Sequence, residues 1–240
     1  MDGLELNKIY LADCYELIKQ IPDKSIDLII TDPPYEQEVN HSAGAFGKKK
    51  KLHFQQIVDL SYGFDYSILD EFVRVLKKIN IYIWCSKKQI QFLLDYFVNR
   101  KGCYWELITW HKENAVPTGN NTFICDTEYC LFFRQKGVLL CGNYFTKRKY
   151  YVTYTNKSDK AKFQHPTIKP LHIIKNFVTN SSKENAVIFD PFVGSGTTAV
   201  ACRELNRQFI ACEINQEYHK IACDRLNQTR ADGQMTMFLE

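Results

Sequence analysis

The feature that most constrains the fold is a run of apolar residues, IDLIITD at 26–32, which stops abruptly at Pro33-Pro34-Tyr35. A continuous Ile/Leu run of this length is typical of a strand buried on both faces of a parallel sheet. Comparable segments are KIYLAD, IYIWCS, EYCLFFRQ, AVIFD and QFIACEI, and helical patterns lie between most of them. Strands that alternate with helices predict an α/β doubly wound sheet, and 240 residues suffice for one such domain with a modest insertion.

The sequence lacks the marks of a membrane or secreted protein. No apolar run approaches the roughly 20 residues that a membrane span needs, and the start, MDGLELNKIY, lacks a secretory signal pattern. The nine cysteines form no C-x-x-C pair and have no zinc-like spacing with histidine. We therefore expect a cytoplasmic protein with free cysteines and no metal site.

Basic residues cluster in two places along the chain. The net charge is +4, yet the window 134–170 holds nine Lys or Arg against one acidic residue, Asp159. This window includes the trio Lys147, Arg148 and Lys149 among several tyrosines, and an earlier basic run comprises Lys48, Lys49, Lys50 and Lys51. Basic segments beside aromatic side chains suit a polyanion with stackable bases, with phosphate contacts expected from most lysines, whereas a solvated surface is the alternative.

A glycine-rich turn between a predicted strand and a predicted helix indicates a ligand site. It contains Asp190, Pro191, Phe192, Gly194, Ser195, Gly196, Thr197 and Thr198. The two glycines let the backbone turn sharply and approach a ligand closely. Glu213 ends the next strand, nineteen residues after Gly194, where its carboxylate can accept hydrogen bonds from a ribose diol. A nucleoside-bearing cofactor is favoured over a purely structural turn, and pyrophosphate binding is disfavoured because the G-x-G-x-x-G pattern is incomplete.

The turn Asp32-Pro33-Pro34-Tyr35 supplies a second set of chemical groups. Asp32 lies at the carboxyl end of a predicted buried strand, the edge where α/β sheets bind ligands. Two prolines restrict the backbone, so Pro33 presents a rigid carbonyl acceptor beside the carboxylate. An exocyclic base amine needs two such acceptors to orient its hydrogens, and the Tyr35 ring offers a surface on which the base can stack. We therefore predict Asp32, Pro33, Pro34 and Tyr35 as the catalytic residues.

These motifs resemble the amino-methyltransferases of DNA, in which (D/N/S)-P-P-(Y/F) is the catalytic motif and F-x-G-x-G the cofactor motif. The catalytic motif comes first here, an order similar to that of the β class, and HPTIKP at 165–170 and WHKEN at 110–114 also resemble segments of that class. The resemblance implies a Rossmann-like S-adenosylmethionine-dependent fold with circularly permuted motif order and a small target-recognition insertion. It also implies methyl transfer to a base that has been flipped out of the duplex.

The resemblance also implies roles for particular residues. Asp13 would contact the cofactor adenine and Glu213 the ribose. The remaining residues expected to bind S-adenosylmethionine are Cys14, Asp32, His165, Thr167, Lys169, Asp190, Pro191, Phe192, Gly194, Ser195, Gly196, Thr197 and Thr198. The aspartate form of the catalytic motif is typical of adenine-N6 enzymes, whereas cytosine-N4 enzymes usually carry serine.

The domain boundaries follow from these assignments. We expect a methyltransferase domain over 1–228, with an active-site loop at 36–61 and a target-recognition region at about 115–164. The tail at 229–240 contains QMTMF, from Gln234 to Phe238, which resembles the peptide by which bacterial replication proteins bind the sliding clamp. A frayed terminus is the alternative for this tail.

Three functions stay open from the sequence. A site-specific adenine-N6 DNA methyltransferase is favoured, with cytosine-N4 methylation as the alternative within the enzyme class. A catalytically silent DNA-binding relative is disfavoured, because such a protein has no need of an intact Asp-Pro-Pro-Tyr motif. The DNA recognition sequence, pairing with a restriction enzyme, and the choice between monomer and homodimer are also left open.

Overall fold

A computed structural model describes residues 3–35, 63–115, 123–154 and 168–229. Its strands are β1 (Lys8–Leu11), β2 (Leu28–Thr31), β3 (Asn80–Cys85), β4 (Tyr104–Lys112), β5 (Thr127–Arg134), β6 (Tyr150–Thr153), β7 (Val187–Asp190) and β8 (Gln208–Glu213). Its α-helices are α1 (Cys14–Leu17), α2 (Ile68–Val75), α3 (Lys87–Leu94), α4 (Leu171–Ser181), α5 (Thr197–Glu204) and α6 (Gln216–Asn227). A 3-10 turn (Ile18–Gln20) continues α1, and a π-helical turn (Asp95–Arg100) continues α3.

The described strands form one mixed sheet in the order β1-β8-β7-β2-β3-β5-β4-β6. β5 runs antiparallel to β3 and β4, and every other pairing among these strands is parallel. The carboxyl ends of the seven remaining strands therefore meet at one edge of the sheet, which we call the carboxyl edge. The predicted α/β architecture is confirmed.

Helices cover both faces of the sheet, as the continuous apolar runs predict. In β2, Ile29 packs on the face that also buries Phe72 of α2 and Leu93 of α3. Its neighbours Leu28 and Ile30 point to the opposite face, in the cluster that contains Phe177 of α4. Because successive side chains of a strand alternate between faces, a strand covered on both sides must be apolar throughout.

The two ends of the chain meet in the sheet. β1 pairs in parallel with β8, and Leu11 lies opposite Glu213. Asp13 and Glu213 therefore stand at neighbouring strand ends although 200 positions separate them. The permuted motif order requires this adjacency, because Asp13 and Glu213 are expected to bind the same cofactor.

Two local features differ from the sequence-based expectations. The helical pattern of SILDEFVRVLKKI predicts a helix over 67–79, but α2 ends at Val75 because Leu76 turns extended and forms a parallel bridge with Ile26. β6 was not predicted, since its four residues carry no distinctive pattern. β5 lies within the expected target-recognition region at 115–164 and is the strand that the segment EYCLFFRQ predicts.

No helix in the described part of the chain is both long and apolar enough to cross a membrane. Residues 36–61 and the tail from residue 230, which carry the predicted active-site loop and clamp-binding peptide, lie outside the described residues.

Candidate active site

Four carboxylates gather at the carboxyl edge, one on each of four adjacent strands. Asp13 follows β1, Glu213 ends β8, Asp190 ends β7, and Asp32 follows β2. The structure thus brings the catalytic motif and the glycine-rich turn to one edge, as the sequence predicts. A group of acidic side chains at this edge favours a ligand that carries positive charge.

The Asp32 carboxylate has a hydrogen-bond donor on each oxygen. The Tyr35 hydroxyl donates to Oδ1 over 2.8 Å, and the Lys169 ammonium donates to Oδ2 over 2.6 Å. Lys169 Nζ also donates to the Tyr35 hydroxyl over 3.0 Å. Burial raises the pKa of Asp32 above its usual value, and Lys169 opposes that rise. Each carboxylate oxygen keeps a second lone pair with which it can accept a hydrogen bond from a ligand.

A buried glutamine anchors the catalytic turn. Gln89 of α3 is fully buried, and its side-chain amide donates to the Pro34 carbonyl over 3.5 Å. Its Oε1 accepts the backbone N–H of Ser86 over 2.9 Å, at the end of β3. The side chain therefore links the turn after β2 to the turn after β3. Together with the two prolines, this contact restricts the backbone of the turn that follows Asp32.

Lys169 belongs to a chain of alternating charges that extends away from Asp32. Its ammonium lies 3.0 Å from Glu128 Oε2, and Lys112 Nζ lies 2.5 Å from Glu128 Oε1. Burial alone would raise the pKa of Glu128, but Lys169 and Lys112 lower it to about 2. Burial likewise disfavours the Lys169 ammonium, yet Asp32 and Glu128 raise its pKa above the usual range. Lys169 and Glu128 are therefore both ionised at neutral pH in this arrangement.

The glycine-rich turn has the backbone geometry that its sequence predicts. Gly194 and Gly196 both adopt left-handed conformations, with φ of +52° and +82°. Gly194 N–H donates to Glu213 Oε2 over 3.0 Å, which ties the turn to the end of β8. Arg225 of α6 supports the turn from behind, where its buried guanidinium donates to Thr197 Oγ1 over 2.9 Å and to the Ser195 carbonyl over 3.2 Å.

The flanking acidic residues have distinct local roles. Asp13 caps α1 by accepting the Tyr15 N–H over 2.9 Å. Burial raises the pKa of Asp190 to about 7, and its Oδ1 accepts the Phe192 N–H over 3.1 Å. Cys14 beside Asp13 is buried, and burial raises the pKa of its thiol to about 12, so it packs as a small apolar group.

Several of the predicted binding residues are not brought to this edge or lie outside the described residues. His165, Thr167 and the run Lys48, Lys49, Lys50 and Lys51 are outside the described residues. Lys147, Arg148 and Lys149 are exposed, but they precede β6 and lie beside the middle and amino-terminal part of β4, away from the carboxyl edge. Lys149 forms an exposed ion pair with Glu106. This position favours flanking phosphates or a solvated surface over contact near the reacting base.

The sequence analysis missed Glu128, Lys112 and Gln89 as neighbours of the catalytic turn. Glu128 had one visible signal, because it is a charged residue within a segment that otherwise forms a buried strand. A carboxylate in such a place is rarely left unpaired. Its partners stand 16 and 41 residues away along the chain, so only the fold identifies them.

Comparison with known proteins agrees with this geometry. The N6_N4_Mtase family model, described as DNA methylase, matches residues 26–224. The type II methyltransferase M1.MboII of Moraxella bovis is 27% identical over 266 residues, covering 94% of this chain and 98% of that protein. M2.LlaDCHI of Lactococcus lactis subsp. cremoris is 29% identical over 241 residues, covering 92% of this chain and 90% of that protein.

Solved structures give the same assignment. The crystal structure of the M1.HpyAVI-SAM complex superimposes with a TM-score of 0.66 at 26% identity, covering 91% of this chain and 99% of that one. The PvuII DNA methyltransferase, described as cytosine-N4-specific, gives a TM-score of 0.69 at 17% identity, covering 94% of this chain and 88% of that one, a similarity of fold alone. The sheet is therefore that of the Rossmann-like methyltransferases, and the chain belongs to the N6/N4 DNA methylase family.

Proposed function

We propose that this DNA methyltransferase transfers a methyl group from S-adenosylmethionine to N6 of adenine at a specific site in double-stranded DNA. The observation that carries the proposal is the Asp32 carboxylate, held at the carboxyl edge by Tyr35 and Lys169 in an intact Asp-Pro-Pro-Tyr turn. The aspartate form of this motif, which resembles that of the adenine enzymes, supports adenine over cytosine.

S-Adenosylmethionine is the cofactor, and it supplies an electrophilic methyl group on a positively charged sulfur. The residues present fit it in two respects. The carboxylates of Asp13, Asp190, Glu213 and Asp32 suit a ligand with a sulfonium and an ammonium group. Gly194 and Gly196 both have positive φ, and glycine at these positions lets the turn bend sharply at the end of β7 and pack closely against Ala222 of α6. We propose that Asp13, Glu213 and the turn from Asp190 to Thr198 hold the cofactor.

The catalytic turn would act on the target amine by orientation and charge. The lone pair of an exocyclic amine is delocalised into the base, so the amine is a weak nucleophile until its hydrogens are fixed by acceptors. Asp32 and the Pro33 carbonyl provide these acceptors. As nitrogen gains positive charge in the transition state, the nearby Asp32 carboxylate stabilises it, and this preorganised charge needs no rearrangement during the reaction.

The base must leave the duplex before these groups can reach it. Amines inside a stacked helix are inaccessible to the deep carboxyl edge of a sheet, so the enzyme would flip the nucleotide out. The Tyr35 ring then offers a stacking surface, as an aromatic side chain does for any unpaired base. The cost of unstacking is a few kcal/mol, roughly what one or two such contacts return.

Methyl transfer with a tritiated methyl donor tests the proposal. We expect label in N6-methyladenine after nucleoside digestion, and we expect Asp32→Ala to lower kcat by about 100-fold or more. Asp224→Ala, which removes an exposed carboxylate on α6, is the matched control and should keep full activity. Label in N4-methylcytosine would overturn the adenine assignment. Full activity of Asp32→Ala would overturn the catalytic assignment.

A further inference from the structure

We propose that Lys169 and Glu128 are positioning residues for Asp32: Lys169 keeps the Asp32 carboxylate ionised, and Glu128 holds Lys169 so that the carboxylate stays aimed at the target amine. The inference rests on the proposed function, because it assigns to Asp32 the role of amine acceptor. Neither residue would touch the methyl group. Both would act through Asp32, Lys169 by stabilising its charge and Glu128 by fixing the position of Lys169.

The geometry around Lys169 leaves its ammonium little freedom. The lysine is 7% exposed at its side chain, and its ammonium donates to Asp32 Oδ2 over 2.6 Å and to the Tyr35 hydroxyl over 3.0 Å, while Glu128 Oε2 lies 3.0 Å away as an ion-pair partner. The ammonium also lies 4.9 Å from the centre of the buried Trp84 ring. An ammonium held by two hydrogen bonds, with a second carboxylate at ion-pair distance, fixes the positions of its partners as well as its own.

Glu128 prevents Lys169 from pairing with Asp32 alone. A buried lysine with one carboxylate partner would hold that carboxylate tightly and compete with an incoming amine for its lone pairs. Here Glu128, 15% exposed at its side chain, takes part of the ammonium's charge, and Lys112 balances Glu128 in turn. The series Asp32, Lys169, Glu128, Lys112 alternates in sign and sums to zero, which is what makes four partly or fully buried charges tolerable.

The fold assembles this series from four separate elements. Asp32 follows β2, Lys112 ends β4, and Lys169 precedes α4. Glu128 lies near the start of β5, and because β5 is antiparallel to its neighbours this start stands at the carboxyl edge. A surface ion pair needs only two neighbouring side chains, whereas this series of charges needs four elements to meet at the Asp32 carboxylate.

The two partners influence Asp32 in opposite directions. Burial raises the pKa of Asp32, Lys169 lowers it, and Glu128 raises it. The titratable groups of the described elements that face Asp32 are Lys169, Glu128, Tyr35, Cys85, Cys130 and Asp190. Of these, only Lys169 carries positive charge. Removing the lysine and removing the glutamate should therefore move the titration of Asp32 in opposite senses.

The pH dependence of kcat, measured at saturating DNA and S-adenosylmethionine, tests this directly, because it reports groups that titrate in the bound complex. On the acidic limb of this profile, kcat falls as Asp32 becomes protonated. We expect Lys169→Met to move the acidic limb to higher pH by about one to three units, because an adjacent cation usually lowers the pKa of a carboxylate by that amount. Lys169→Arg keeps the charge and should restore the limb to near its original position. Lys77→Met is the matched control, because Lys77 pairs with Asp27 over 2.8 Å at the opposite end of β2. It should leave the limb unchanged.

Glu128→Gln provides the second arm and nearly preserves shape, so it tests the inference even if Lys169→Met does not fold. We expect its acidic limb to move to lower pH, and its plateau kcat to fall by about 10- to 100-fold as Lys169 closes onto Asp32. The inference would be overturned if the acidic limbs of Lys169→Met and Glu128→Gln both lay at the same pH as that of Lys77→Met. A wild-type enzyme that methylates no DNA base would instead overturn the proposed function, so the two failures are distinguishable.

Discussion

Gly196 offers a quantitative test of the cofactor turn, because another glycine of the chain separates two effects of the same substitution. Gly196 begins α5 with φ of +82°, and a Cβ there would lie 3.1 Å from both Cα and Cβ of Ala222. Gly102 has a similar φ of +68°, but a Cβ there would meet nothing within 4 Å. Gly102→Ala therefore measures backbone strain alone, and Gly196→Ala measures strain plus steric overlap.

The expected magnitudes follow from these contacts. A left-handed conformation costs a residue with a side chain about 1–2 kcal/mol, and the stiffer unfolded chain returns about 0.4–1 kcal/mol. We expect Gly102→Ala to lower the free energy of unfolding by about 1 kcal/mol. The overlap in Gly196→Ala is with backbone as well as side chain, so α5 or α6 must shift, which costs a further 1–3 kcal/mol or so.

Thermal unfolding with and without S-adenosylmethionine measures both variants. For a chain of this size, about 1 kcal/mol corresponds to a change in Tm of about 2–4 °C. Gly196→Ala should therefore melt several degrees below Gly102→Ala, and its Tm should rise less on adding the cofactor, because the shifted turn binds it more weakly. Equal Tm values and equal rises with cofactor would refute the reasoning that the turn is a close-packed cradle.

Two further predictions concern charge. Burial raises the pKa of Asp190 to about 7, whereas in the unfolded chain this carboxyl loses its proton above about pH 4. The bound proton therefore stabilises the folded state fully below about pH 4, and this stabilisation is lost as the pH rises through 7. Asp190→Asn should flatten this fall in the free energy of unfolding between pH 4 and 8 in urea titrations, and an unchanged slope would contradict it. Replacing Lys147, Arg148 and Lys149 by Gln should reduce the slope of log Kd for DNA against log salt by about 0.9 for each phosphate that the trio neutralises. An unchanged slope would make the trio a solvated surface.

The sequence alone predicts those parts of the site whose conformation is set by adjacent residues. The apolar run before Asp32 predicts a strand buried on both faces, and the structure has β2 there with every residue buried. The glycines at 194 and 196 predict a tight turn, and both adopt left-handed φ. In each case the signal lies in adjacent residues, so no long-range contact is needed to interpret it.

Sequence reasoning failed where a distant contact overrides the local pattern. Helical periodicity continues to residue 79, yet α2 ends at Val75 because Leu76 bridges to Ile26. The four residues of β6 carry no distinctive pattern, yet they pair in parallel with β4 in the sheet. Strand pairing depends on partners far away in the chain, so a short window of sequence does not show whether a segment will be stabilised by pairing.

The sequence by itself determined the α/β class, the rigid turn that follows Asp32, the glycine-rich turn and the family to which the chain belongs. Only the tertiary structure decided that Lys169, Glu128 and Lys112 converge on Asp32, and that the basic trio lies away from the carboxyl edge. The physical reason is that motifs are set by neighbouring residues, whereas the charge state of a buried carboxylate is set by whatever the fold packs against it.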